Sequence, residues 1–270
     1  MKFYLGTHIP NWLAKVKVPL FISYQQLKKY KTPPRARGRW ALDSGGFTEL
    51  ALRGEWTIAP FDYAADVMRY MDQVGGLDWA ACQDWVCSPI VTQKTFPTTP
   101  HREAVIWHQN FTIESYETLR NLAPGAPWAP ILQGWRLSDY MRHVEMYDRA
   151  GIDLRKFETV GVGTLVKRDK TAEVKYILQR LKSMGIKTHG FGVKTAGLAQ
   201  CWDQLQSADS LAWSYAARYL PPMDDECASK HTNCANCLKF ALKWREDMLA
   251  QCKASKPPQQ MDLIWGAGLG

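Results

Sequence analysis

The chain has 270 residues, of which 46% are hydrophobic, and a formal net charge of +8. That is enough apolar material for one large packed domain or two small ones, and the positive balance favours a polyanionic partner. No apolar run approaches the roughly 18 residues of a membrane helix, and the opening MKFYLGTHIP lacks the apolar core of a secretory leader, so a cytoplasmic protein without membrane attachment is expected.

Along the chain, eight short apolar runs, each closed by polar or glycine-rich residues, read as strands: 2–6, 18–23, 40–44, 77–84, 129–134, 159–163, 188–192 and 209–214. Helical spacing falls between several of them. Residues 61–74 carry Tyr63, Val67, Tyr70, Met71 and Val74 on one stripe. Residues 137–151 start at a candidate Ser138 cap and stop at Gly151. Residues 170–185 run from a candidate Thr171 cap to Gly185, with Val174, Ile177, Leu178 and Leu181 on one face. Strands alternating with helices over about 250 residues predict an α/β fold, a (β/α)8 TIM barrel. Its tightest part is the first 25 residues, where two strands must fit with little helix between them. The expected organisation is a barrel over 1–220, a zinc-binding insertion with a packed helix over 221–252, and a Pro- and Gly-rich tail over 253–270.

In such a barrel the strand C-terminal ends converge on one mouth, where active sites lie. Asp43 and Asp209 fall at or beside such ends. Two carboxylates facing a sugar can exchange a glycosidic bond by double displacement, one attacking the anomeric carbon and the other moving protons. An Asp at a strand end is equally a turn or helix cap. Asp84 and Gln133 also sit at strand ends. A carboxylate accepts two adjacent N–H donors and an amide both donates and accepts, so together they can read the edge of a guanine-like base. Gly45, Gly46, Gly161 and Gly163 would let backbone approach a flat ring, or serve as ordinary turn residues. Phe47 is a candidate for packing on the base or in the core. His101, His108 and His143 read as helix or capping residues, and Trp202 and Trp213 as core.

The basic run KKYKTPPRARGR carries Lys28, Lys29, Lys31, Arg35, Arg37 and Arg39 without an acid, and is a candidate for phosphate contact. Near the C-terminus, Cys227-x3-His231-x2-Cys234-x2-Cys237 offers three thiolates and an imidazole. That is a closed tetrahedral set for a structural zinc ion, with Cys252 as a possible substitute for His231. A helix over 238–253 should leave this knuckle.

Taken in order, these segments resemble one superfamily. Asp43-Ser44-Gly45-Gly46-Phe47 resembles the DSGGF signature of tRNA-guanine transglycosylases, and Gln83-Asp84 falls at its base-reading Asp. Leu132-Gln133-Gly134 resembles its VQGG segment, Gly161-Val162-Gly163 its glycine strand end, and the His189 to Val193 stretch its MGVG segment. Residues 207–218 resemble the nucleophile segment that ends in Arg, here Arg218, and the zinc cluster follows in place. GTHIPNWL, WALDSGGFTEL, HGFGVK and SADSLAWS are more similar to the DNA-modifying relatives, the DpdA-like DNA 7-deazaguanine transglycosylases of bacterial genomic islands and phages.

The resemblance implies exchange of guanine in DNA for a 7-deazaguanine such as 7-cyano-7-deazaguanine. Asp43 and Asp209 would be catalytic. Ser44, Gly45, Gly46, Phe47, Asp84, Gln133, Gly134, Gly161, Gly163 and His189 would bind substrate. It also implies a tRNA enzyme as the alternative substrate class, and dimers are common in the superfamily. If the gene is carried by a phage, the location is the host cytoplasm. There are departures. Thr48 replaces the usual Gln, the zinc spacing differs, and an ungapped match on Arg218 puts the tRNA-family nucleophile at Ala212, three residues after Asp209. Asp43 is therefore the competing nucleophile. A hydrolytic base-excision enzyme and a non-catalytic zinc-stabilised nucleic-acid-binding protein are the remaining readings.

Overall fold

A computed structural model describes residues 1–165, 171–193 and 195–254. Nine parallel strands form one sheet: β1 (Lys2–Thr7), β2 (Leu20–Ser23), β3 (Trp40–Asp43), β4 (Leu77–Ala81), β5 (Trp128–Ala129), β6 (Ile131–Leu132), β7 (Val160–Val162), β8 (Thr188–Gly190) and β9 (Ser207–Ser210). Their order is β5-β4-β3-β2-β1-β9-β8-β7-β6. The two strands at the ends of that order are neighbours in the chain, separated only by Pro130, which has no N–H for the ladder. On one side of the break the Cys82 N–H reaches the Ala129 carbonyl, and on the other the Gly161 N–H reaches the Pro130 carbonyl. The sheet thus closes on itself as a (β/α)8 barrel whose fifth strand is split at a proline.

The helices among the described residues are α1 (Tyr24–Leu27), α2 (Gly46–Arg53), α3 (Pro60–Gln73), α4 (Pro89–Thr95), α5 (His101–Leu122), α6 (Leu137–Arg149), α7 (Thr171–Ser183), α8 (Thr195–Cys201), α9 (Ala212–Ala216), α10 (Asp225–Ala228) and α11 (Leu238–Ala254). The crowding expected near the N-terminus is resolved by economy. A single 3-10 turn, Pro10–Ala14, joins β1 to β2, and the one-turn α1 follows β2. α3, α6, α7 and α11 lie where helical spacing predicts them.

Two local expectations need correction, and one helix had not been anticipated. The last strand is 207–210, and the apolar residues after Asp209 turn into α9 instead of extending the strand. Helix α6 starts one residue before Ser138. The Asp139 carboxylate accepts from the Trp135 and Arg136 N–H groups, and it performs the capping that a serine was expected to supply. The 22-residue α5 is the longest helix described, yet its spacing gave no clear stripe, because His108, Gln109 and Thr112 lie on its buried face. The residue before Thr171 and the tail beyond Ala254 lie outside the described residues.

A plug of rings fills the barrel. Tyr4, Phe21, Trp79, His189 and Phe191 pack against one another with centroids 4.7 to 6.4 Å apart. At the N-terminal end, Asp78 gathers Lys2, the Tyr4 hydroxyl and Arg39. α11 joins the same apolar core through Ala241, Met248 and Cys252, so the segment between α9 and α11 is an excursion from the barrel. No described helix is long and apolar enough to cross a membrane.

Candidate active site and metal centre

Each residue type at the mouth is delivered by a strand end. Asp43 is the last residue of β3, in register with Ser23 of β2. The Gly45 N–H and the Ser23 side chain hydrogen-bond to it. Gly45 takes φ +81°, a left-handed turn that an L side chain rarely adopts, and swings the chain from β3 into α2. A Cβ on Gly46 would stand 2.8 Å from the Asp84 carbonyl, so glycine there lets α2 start directly against Asp84.

Asp84 is buried and held at both carboxylate oxygens. The Ser44 hydroxyl donates to Oδ1 at 2.9 Å and the Gln133 amide donates to Oδ2 at 2.5 Å. Burial raises its pKa, and those two hydrogen bonds oppose the rise. Asp43 remains partly reachable by water, but protein crowds it closely. Loss of hydration, then the charge of Asp84, then that of Asp209 raise its pKa to about 7, against the Gly45 and Ser23 hydrogen bonds. The three carboxyl groups therefore share one mouth and one electrostatic environment.

Asp209, on β9, is held differently. The Gly192 N–H donates to its Oδ1 at 2.9 Å, and His189 Nε2 lies 3.2 Å from the same oxygen. A carboxylate only accepts, so Nε2 carries a proton toward Asp209, and Nδ1 lies 2.9 Å from the Ser207 hydroxyl. His189 is completely buried within the ring plug. It reaches Asp209 from below.

Residues 1–270 match the family model described as DpdA, DeoxyPurine in DNA protein A. The chain belongs to the DpdA family. No curated protein matches it. Membership carries a transglycosylase-type role in DNA modification.

Within this DpdA-family chain, several other expected site residues have different surroundings from those anticipated. The space a Cβ would need at Gly163 is occupied by the Gln133 amide, at Gly161 by Ile131 and Phe191, and at Gly134 by Asp139 and Tyr140. At these glycines the absence of a Cβ lets neighbouring side chains pack against the backbone. Ser44 is buried and serves Asp84. Phe47 is 55% exposed on the rim, which removes it from the core. Gln83 turns away and donates to the Ile58 carbonyl.

The basic run does not reach the mouth as one surface. Arg37 and Arg39 lie at the N-terminal ends of the strands, where the Arg37 N–H bonds Leu13 and Arg39 pairs with Asp78. Arg39 and Asp43 occupy opposite ends of β3, a span of roughly 13 Å. Lys28, at the end of α1, lies over the Tyr24 ring, Lys29 bonds Gln26, and Lys31 and Arg35 are exposed. Arg218 is exposed just after α9, on the mouth side.

Sequence reasoning missed the supports of the site. Gln109 donates to the Gln133 and Asp139 carbonyls at 2.7 Å each, and Thr112 accepts from the Trp85 N–H. Thr164, with φ +59°, donates to Gln133 Oε1. His108 is buried, not on the helix surface as expected, and contacts Thr95 and the Val86 carbonyl. Burial pushes it down to about 4 and His143 to about 3, which favours the neutral imidazole in both. The only available signal was negative: polar residues where a helix should be apolar.

The cluster Cys227, His231, Cys234 and Cys237 has its four ligand atoms within 4.8 Å of one another. The 3.8 Å separation of the Cys227 and Cys237 sulfurs matches the edge of a tetrahedron with Zn–S bonds of about 2.3 Å. This donor set could hold a zinc ion. Cys252 lies apart, buried against Met248, and is not a substitute ligand. The knuckle grips the barrel mouth. The Ser214 hydroxyl donates to the Ala235 carbonyl, His8 bonds Asn236 at 2.6 Å, and Trp213 stacks with both His8 and Trp12.

Proposed function

We propose that this chain exchanges guanine in DNA for a 7-deazaguanine base, such as 7-cyano-7-deazaguanine, through a covalent glycosyl-enzyme. The observation that carries the reading is the unequal treatment of two carboxyls at one mouth. Asp209 is oriented by Gly192 and His189, while Asp43 is pushed to about 7. A fixed carboxylate suits nucleophilic attack, and a carboxyl titrating near neutrality suits proton transfer.

A target guanine leaves the duplex stack, where its glycosidic bond is inaccessible. Asp209 attacks C1′ as the bond from C1′ to N9 breaks, and Asp43 gives its proton to the departing base. The incoming base attacks C1′ through N9, returns a proton to Asp43 and releases Asp209. Two inversions restore the original configuration, and no redox or nucleotide cofactor is consumed. Asp84 and Gln133 hold the base edge, with Ser44, Gly45, Gly46, Gly134, Gly161 and Gly163 shaping the pocket and Phe47 at its rim. Arg218 and Lys28 contact phosphate near the mouth. Residues 1–220 carry the chemistry, and 221–252, with zinc on Cys227, His231, Cys234 and Cys237, buttress the mouth.

The test incubates the protein with duplex DNA, tRNA and 7-cyano-7-deazaguanine, followed by nucleoside mass spectrometry. Deazaguanine in DNA is expected. Its appearance only in tRNA moves the substrate, abasic sites formed without added base identify a hydrolase, and salt-sensitive DNA binding without turnover identifies a binder.

A further inference from the structure

Gln133 is almost wholly fixed by its own backbone. Its N–H donates to His143 Nδ1 at 2.9 Å and its carbonyl accepts from Gln109 at 2.7 Å. What remains free is which way its amide faces. Two donors settle that. The Cys87 N–H lies 3.4 Å from Oε1, and the Thr164 hydroxyl lies 2.5 Å from it. A backbone N–H can only donate, so the amide must turn its oxygen toward Cys87. The same N–H lies 3.2 Å from Thr164 Oγ1, which leaves the hydroxyl proton for Gln133. Nε2 is then directed at Asp84.

Thr164 holds this position at a cost. Its φ of +59° is left-handed, and it is the only non-glycine among the described residues with a positive φ. β-Branched residues avoid that region, and such strain persists where surroundings enforce it. Glycine would sit there at ease, but it has no hydroxyl. The room for the amide comes from Gly163, where a Cβ would stand 2.1 Å from Gln133 Nε2.

We infer that Thr164, relaying the polarity of the Cys87 N–H, locks the Gln133 amide with its oxygen toward Cys87 and thereby sharpens selection of bases with an oxygen, not an amino group, at position 6. With Oε1 engaged by Cys87 and Thr164, Gln133 has only its second N–H to offer a ligand. Beside the acceptors of Asp84, that donor fits a base edge with a 6-oxo acceptor and N–H donors at N1 and N2. An amino group at position 6 would set donor against donor, and a buried site built to hydrogen-bond rejects such a mismatch strongly. Thr164 is a positioning residue that acts through Gln133. The inference rests on the base-binding part of the proposed function.

The test is calorimetric binding of two free bases, 7-deazaguanine and 2,6-diamino-7-deazapurine, which share the ring and the 2-amino group. Wild type should prefer 7-deazaguanine by about 10²-fold or more. Thr164→Val keeps the shape and the branching, and Thr164→Gly relieves the backbone. Both should narrow the preference about tenfold, whereas Thr164→Ser retains it. Thr164→Gly safeguards the result if the valine variant folds poorly. Equal binding of both bases by wild type, binding of neither, or an unchanged preference in the valine and glycine variants overturns the inference. A DNA exchange assay run in parallel keeps the two readings separate. Exchange with an unchanged preference sinks only this inference, and a narrowed preference without exchange sinks only the reaction.

Discussion

The zinc knuckle and the carboxylate mouth are built on opposite plans. The four metal-binding residues lie within eleven positions of chain, and only a small apolar cluster around Ala217, Cys227, Cys234 and Ala235 accompanies them. The mouth draws Asp43, Asp84, Gln133, Thr164 and Asp209 from five strand ends and holds them by hydrogen bonds over the ring plug. The knuckle is therefore local, with a donor set that could hold an ion and little apolar core of its own. The mouth is distributed and depends on the whole barrel. Damage to the first should cost stability before chemistry, and damage to the second should cost chemistry before stability.

The sharpest break of that contrast is at Asp209. Replacement by Asn should lower the rate of base exchange by about 10³-fold or more while zinc content and melting temperature stay near wild type. Mass spectrometry of the nucleosides and metal analysis on one sample check both halves. Retained exchange with Asp209→Asn would transfer the nucleophile to Asp43.

Next in size is His189. If it orients Asp209, Ala at this position should lower kcat by about 10²-fold with KM for the free base little changed, since a misplaced reacting group costs about that much. Gln, which can still donate to Asp209, should recover part of it. A rise in KM with kcat intact would return His189 to base contact.

Removing the metal tests the other region. A strong chelator, or Cys234→Ser, should lower the melting temperature by roughly 10 °C, because metal binding to such a cluster is folding energy. Circular dichroism should show a folded barrel below that transition. Loss of all helical signal would show that the knuckle and the barrel fold as one unit.

The smallest effect concerns Asp43. Its folded pKa of about 7 stands above the ordinary carboxyl value of 3.8, so the folded state binds the extra proton. Its contribution to stability is fully present below about pH 4 and is lost as pH rises through 7. Asp43→Asn should therefore raise the melting temperature by roughly 5 °C at pH 8 and leave it unchanged at pH 4. The exchange rate of the wild type should fall above pH 7, as the proton for the leaving base is lost. Identical melting of both proteins at pH 8 would remove the buried charge from the account.

How legible each part was follows from the same contrast. Cys227 to Cys237 could be read directly, because tetrahedral ligation needs specific residue types at short spacing. Asp43, Asp84, Gln133 and Asp209 could be read as strand-end residues, and the ordered motifs gave them a family. Their division of labour could not be read. That His189 supports Asp209 from within the ring plug was not legible. At the glycines at 161 and 163 the space of a Cβ is taken by Phe191 and Gln133, neighbours that only the closed barrel supplies. α5 was the least legible helix because the polar residues that support Gln133 and Trp85 interrupt its apolar stripe.

By itself the sequence determined the barrel, the Cys/His cluster and the set of candidate carboxyls, since period, spacing and residue type are local properties. Tertiary structure alone decided that the basic run divides between the two ends of the barrel, that Pro130 splits a strand at closure, and that Thr164 meets Gln133. Those outcomes depend on which strand ends become neighbours, and in a closed parallel sheet that is settled only when all the strands are paired.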